Sequence, residues 1–137
     1  MKIAAVDLGD VRTGLAFSDL TGFIAGRAIT LTAHSRAELI EKICAELKAE
    51  KAEKVVVGLP LNMDGTEGDR AQKARAFGEL LGDACGLPVV MWDERGTSVT
   101  ANRMLSDAGK KRGKQRQKVD AVAATIILQS FLDAVGR

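Results

Sequence analysis

Four acidic residues stand where acidic residues are costly. Asp7 closes the apolar run "KIAAVD", Asp93 and Glu94 close "PVVMWDE", and Asp120 stands between Val119 and the run Ala121-Val122-Ala123. An ionised carboxylate withdrawn from water needs an arginine, a cap or a cation. Singly, ordinary partners are at hand: Asp7 could accept from the backbone at Gly9, Asp93 could pair with Arg95, and Asp120 suits a helix amino terminus. Gathered at one rim, the carboxylates would repel one another unless a divalent cation sat among them. Oxygen ligands without histidine or thiolate suit Mg²⁺ or Mn²⁺. Two such ions activate a water and stabilise the leaving oxygen of an in-line displacement at phosphorus.

The remaining residue types exclude other chemistries. His34 is the only histidine, and Cys44 and Cys85 lie far apart in sequence, so a zinc site of Cys and His ligands lacks its ligands. The two thiols read as small core fillers in a reducing compartment. No apolar run approaches the roughly 20 residues that cross a bilayer, and Met1-Lys2 leads directly into a strand, so a cytoplasmic protein with no membrane partner is expected. The 137 residues, 46% hydrophobic and 28% charged, fit one domain over 1–137. The net charge of +2 decides nothing, but its distribution does. Lys110, Lys111, Arg112, Lys114, Arg116 and Lys118 fall together, with no acidic residue between Asp107 and Asp120. That stretch is either a solvated loop or a site for phosphates. Its proximity to Asp120 favours a nucleic-acid backbone held beside the metals.

The elements that must position these groups follow from periodicity. "KIAAVD", "TGLAFSD" and "FIAGRAIT" read as a β-meander, the first strand apolar enough to be covered on both faces. "SRAE" at 35–38 is a capping box opening a helix with Leu39, Ile40, Ile43, Cys44 and Leu47 on one stripe. "KVVVGLP" is a buried strand, "LNMDGTEGD" a loop, and Ala74, Phe77 and Leu81 mark a helix through about residue 83. Pro88 begins a fifth strand, Thr97 or Ser98 can cap a helix ending at Gly109, and Val119, Ala123, Ile126, Ile127 and Phe131 mark a final helix with Asp120 in its first turn. The order β-β-β-α-β-α-β-α-α predicts an α/β fold: a mixed five-stranded sheet flanked by helices. If the first, fourth and fifth strands are parallel, Asp7, the "GLPLN" loop and Asp93-Glu94 share one edge, where ligands bind in such sheets.

The stretches "VDLGDVRTGLAFSD" and "VVGLPLNMDGTEGDRAQKARAF", the tripeptide "DER" and the helix "KVDAVAATIILQSFL" resemble the YqgF family, the RuvX-like proteins described as pre-16S rRNA nucleases or Holliday junction resolvases. The likeness runs from about residue 3 to 133. It implies a ribonuclease H-like fold, metal-dependent hydrolysis of phosphodiester bonds, and a role in ribosome biogenesis at the 5′ end of pre-16S rRNA. The family's metal-binding positions fall on Asp7, on Asp93 and Glu94 with Glu94 the better ligand, and on Asp120. Two departures stand out: Asp10 where the family commonly has threonine, and Gly96 where it has a bulky apolar residue.

Substrate contacts are expected from Gly9, whose turn leaves room for a phosphate, from Arg12, Asn62 and Arg95, and from the basic stretch. Arg70, Lys73 and Arg75 begin the following helix and either extend the positive surface or, as the simpler reading, form a solvated helix face. The partner is nucleic acid, RNA or branched DNA, and symmetric cutting of a junction would need a homodimer because one chain carries one site. Two rival readings are a binding module with vestigial carboxylates and the phosphate clamp of a sugar kinase or actin-like ATPase. The latter needs a second such domain.

Overall fold

In a computed structural model the described residues are 1–95 and 116–135, with 116–120 described by backbone alone. Five strands, β1 (Ile3–Asp7), β2 (Arg12–Ser18), β3 (Ala25–Thr32), β4 (Lys54–Leu59) and β5 (Val89–Asp93), form one sheet in the order β3-β2-β1-β4-β5. β1–β2 and β2–β3 are antiparallel, whereas β1–β4 and β4–β5 are parallel. The expected mixed sheet is therefore present, and the carboxyl ends of β1, β4 and β5 meet at one rim. The helix expected up to Gly109 lies outside the described residues.

Side-chain alternation along the strands builds two cores of different character. Ala4 and Val6, Leu15 and Phe17, and Val55 and Val57 face helices α1 (Arg36–Glu50) and α2 (Asp69–Cys85), which add Leu39, Ile43, Leu47, Phe77 and Leu81. On the opposite face Ile3, Ala5, Ala16 and Val56 meet α3 (Arg116–Val135) through Ala124, Ile127, Leu128 and Phe131. Ala25 and Ala28 of β3 pack there too, so much of the floor under α3 is alanine. Trp92 closes this layer edge-on against Phe131, with ring centroids 5.2 Å apart, and its indole N–H donates to Ser130 Oγ.

Three local features depart from the sequence expectations. β3 starts at Ala25 rather than at Phe23, because one Asp19 carboxylate oxygen accepts from the backbone N–H groups of Gly22, Phe23 and Ile24 and holds them in a turn. The capping box is displaced: Glu38 N donates to Ser35 Oγ as expected, but the Glu38 carboxylate reaches the N–H of His34. α3 spans Arg116–Val135 among the described residues, so Arg116 and Lys118 are helical and Asp120 is the fifth residue of the described helix, not in its first turn. Gly113 is the last strong helix breaker before it, and the Lys, Arg and Gln that follow are good helix formers.

α1 ends with Lys51 at φ 58°, a left-handed conformation that costs a residue with a Cβ, and its N–H closes the helix onto Leu47 and Lys48 carbonyls. Lys51→Gly should stabilise the protein by about 0.5–1 kcal/mol, read as a higher denaturation midpoint at unchanged slope.

Candidate active site at the rim of the parallel strands

Strand register brings two acidic residues together. Val6 pairs with Val57, so Asp7 is level with Gly58, and Gly58 pairs in turn with Trp92 beside Glu94. By alternation Asp7, Gly58 and Glu94 all lie on the α3 side of the sheet, with β4 between the two carboxylate-bearing strands. Gly58 is what permits this. A Cβ there would lie 2.9 Å from the Glu94 carboxyl carbon and 2.8 Å from Ile127 Cδ1. Any larger residue would occupy the space into which the Glu94 carboxylate folds.

The electrostatics match the crowding. Glu94 is pushed up to about 7, first by burial and then by the negative charge of Asp7, with Arg70 pulling the other way. Asp93 is on the opposite side of β5 and fares differently. Its carboxylate accepts from the Arg95 N–H at 2.9 Å, from Nε at 3.0 Å and from Nη2 at 2.8 Å, and these contacts hold it below the usual carboxylate range. Arg95 also donates to the Met63 carbonyl and lies against Gly65, tying β5 to the loop after β4.

Asp7 and Glu94 line a cleft of about 410 Å³. Among its described lining residues are Gly9, Asp10, Arg95 and three further cations, Arg36, Arg70 and Lys73. Arg12 and Asn62 do not line it. Asn62 is used inside its own loop, where Nδ2 donates to Thr66 Oγ1 and its backbone N–H to the Thr66 carbonyl. Gly9 is needed for the turn, since a Cβ would collide with the carbonyl oxygen of Arg12. Lys110, Lys111, Arg112, Lys114 and Gly96 lie outside the described residues, as do the side chains of Arg116, Lys118 and Asp120.

Asp120 can nevertheless be placed on its helix. It precedes Ile127 by seven residues, two helical turns along the α3 backbone. Ile127 sits at Gly58 on the rim side, whereas Gln129 bonds Ala25 toward the other end of the sheet. The amino-terminal turns of α3 thus run toward the rim that carries Asp7 and Glu94.

The sequence places Gly58 at this edge within "GLPLN" but does not reveal the room it leaves for Glu94, and it gives Arg36 no role in the cleft. Parity along β4 and β5 would have revealed that room. Nothing local could have found Arg36, which reaches the cleft from a helix remote in sequence.

Residues 1–134 match the RuvX family, described as a Holliday junction resolvase. The chain belongs to that family. It is similar over its whole length to a "Putative pre-16S rRNA nuclease" of Pelotomaculum thermopropionicum, at 43% identity and 90% coverage of that protein. A protein of the same name from Caldanaerobacter subterraneus subsp. tengcongensis is 42% identical over 98% of this chain and 97% of its own. Among solved structures, Thermus thermophilus RuvC in complex with a Holliday junction substrate superposes with a TM-score of 0.65 at 14% identity, covering 99% of this chain and 96% of that one. The last likeness establishes a RuvC-like, ribonuclease H-like fold for this family member.

Two predictions test the crowding. The folded-state value of Glu94 lies above its ordinary 4.5, so its ionisation opposes folding: the stability it contributes is fully present below pH 4.5 and is lost as pH rises to about 7. In chelator, Glu94→Gln should remove that decline and gain up to about 3 kcal/mol at pH 8, less whatever solvent screens. Denaturant midpoints from pH 5 to 8 measure it, and parallel curves for variant and wild type would refute it. Gly58→Ala should cost about 1–3 kcal/mol by forcing Ile127 and Glu94 aside, measurable by thermal melting.

Proposed function

We propose that this RuvX family member is a metal-dependent nuclease that hydrolyses phosphodiester bonds in structured nucleic acid, acting in the cytoplasm on the 5′ end of pre-16S rRNA. The observation that carries the reading is the pair Asp7 and Glu94, brought to one rim across Gly58 against their mutual repulsion. The name shared by its relatives supports the RNA substrate.

A divalent cation suits the chemistry of this donor set. The ligands would be Asp7, Glu94 and Asp120, hard oxygen donors of the kind that Mg²⁺ and Mn²⁺ prefer, and no thiolate or imidazole lines the cleft among the described residues. Asp93, committed to Arg95, is an auxiliary. When bound, one or two such ions lower the pKa of a coordinated water and polarise the phosphoryl oxygens. The chain's own residues do the rest. Asp7 and Glu94 fix where positive charge collects, and Gly9 keeps the turn after β1 narrow enough for a phosphodiester to approach. Without a cation, burial and the charge of Asp7 hold a proton on Glu94 up to about pH 7, so a cation that binds there displaces that proton. Arg70 and Lys73 offset the negative charge of an incoming backbone, and the basic stretch 110–118 extends that attraction.

The family's description favours a second substrate, the Holliday junction. Symmetric cutting of a four-way junction requires two sites and therefore a homodimer, whereas trimming an rRNA precursor does not.

Asp7→Asn should abolish cleavage of a labelled pre-16S rRNA fragment in Mg²⁺ or Mn²⁺ while leaving the melting transition intact. Running single-stranded RNA, duplex and four-way DNA junction beside it assigns the substrate. Equal rates for variant and wild type would sink the metal-site assignment.

A further inference from the structure

The cations near the rim fall into two groups. Arg75 is held by Glu67 at 2.7 Å and Arg95 by Asp93 at 2.8 Å. Arg36, Arg70 and Lys73 are exposed, line the carboxylate cleft, and make no ion pair within 4 Å among the described residues. A cation facing a cleft without an acidic partner keeps its charge and its donors available for an anion.

Arg36 differs from the other two in how it is held. Its guanidinium lies 5.4 Å from the centroid of the Phe77 ring, and Phe77 is fully buried between α1 and α2. Stacking on a fixed ring restricts the side chain without consuming its N–H groups, which remain at the edge of the guanidinium plane for phosphate. Arg36 also lines a second groove, of about 260 Å³, with Gly9, Asp10, Thr13 and His34. The two hollows share Gly9, Asp10 and Arg36, so Arg36 stands where one passes into the other.

We propose that Arg36 is a substrate contact that binds a backbone phosphate next to the scissile one and directs the strand from the carboxylate cleft into the groove between the β1–β2 turn and α1. This rests on the nuclease reading and names the path the nucleic acid takes across that site. Asp10 shares the passage and adds negative charge there, so the cation at 36 is what makes the passage acceptable to a polyanion. The chemistry is that of a phosphodiester backbone, shared by RNA and DNA.

The test separates binding from cleavage. Wild type, Arg36→Gln, Arg36→Lys and the control Arg75→Gln are titrated by fluorescence anisotropy, in chelator and across a salt series, against a labelled pre-16S rRNA fragment and a four-way DNA junction. Arg36→Gln should weaken binding about 5–10-fold near 0.1 M salt and lower the slope of log K against log salt by about 0.7–0.9, the loss of one phosphate contact. In Mg²⁺ its KM should rise by the same factor with kcat within about twofold. Arg36→Lys should restore the salt slope, and Arg75→Gln should match wild type. Unchanged affinity and slope in Arg36→Gln, or an equal loss in Arg75→Gln, overturns the proposal. If wild type cleaves and Arg36→Gln is unaffected, the contact falls and the nuclease stands. If nothing is cleaved but the slope changes as stated, the contact stands and the nuclease reading falls.

Discussion

Two carboxylates on strands that are not neighbours face each other because the strand between them offers no side chain. Gly58 fills the position where any other residue would separate Asp7 from Glu94, and Ile127 of α3 closes over the same gap. The arrangement is unfavourable for folding: burial and like charge raise the Glu94 carboxyl to near neutrality. Proteins keep such local conflicts where chemistry needs them and offset them with consistent packing elsewhere. Here the offset lies in the fully apolar centres of β1 and β4, buried on both sides of the sheet.

The sheet also sorts charges by side. Asp93 and Glu94 are adjacent in sequence, yet one residue of register sends Glu94 toward Asp7 and Asp93 away from it. Arg95 takes up the outward carboxylate and, through the Met63 carbonyl, anchors the loop that follows β4. An acidic pair at the end of β5 is therefore divided, with the inward member facing Asp7 and the outward one fixing the frame.

Much of this was legible in the residues alone. Buried parallel strands announce themselves as uninterrupted apolar runs, and the order of strands and helices left few topologies to consider. What stayed hidden was non-local. The role of Gly58 depends on the register of three strands at once. Arg36 enters the cleft only because α1 packs on α2, and its stacking partner lies 41 positions further along. Asn62 also has a structural task that its type did not announce, since its side-chain amide donates within its own loop. The start of β3 shifted because one side chain, Asp19, captured three amide groups that strand propensity had assigned elsewhere.

The alanine floor beneath α3 carries a consequence for depth. Ala5, Ala16, Ala25 and Ala28 let the helix settle close to the sheet, and Asp120 rides on that helix. Side-chain volume far from the rim thus sets how close to the sheet the helix lies as it runs toward Asp7 and Glu94. Adding a few methyl groups to the floor would act as a shim, lifting the tip without touching a charged group. How near the Asp120 turn of helix comes to the strand ends is in this sense written in the smallest side chains of the core.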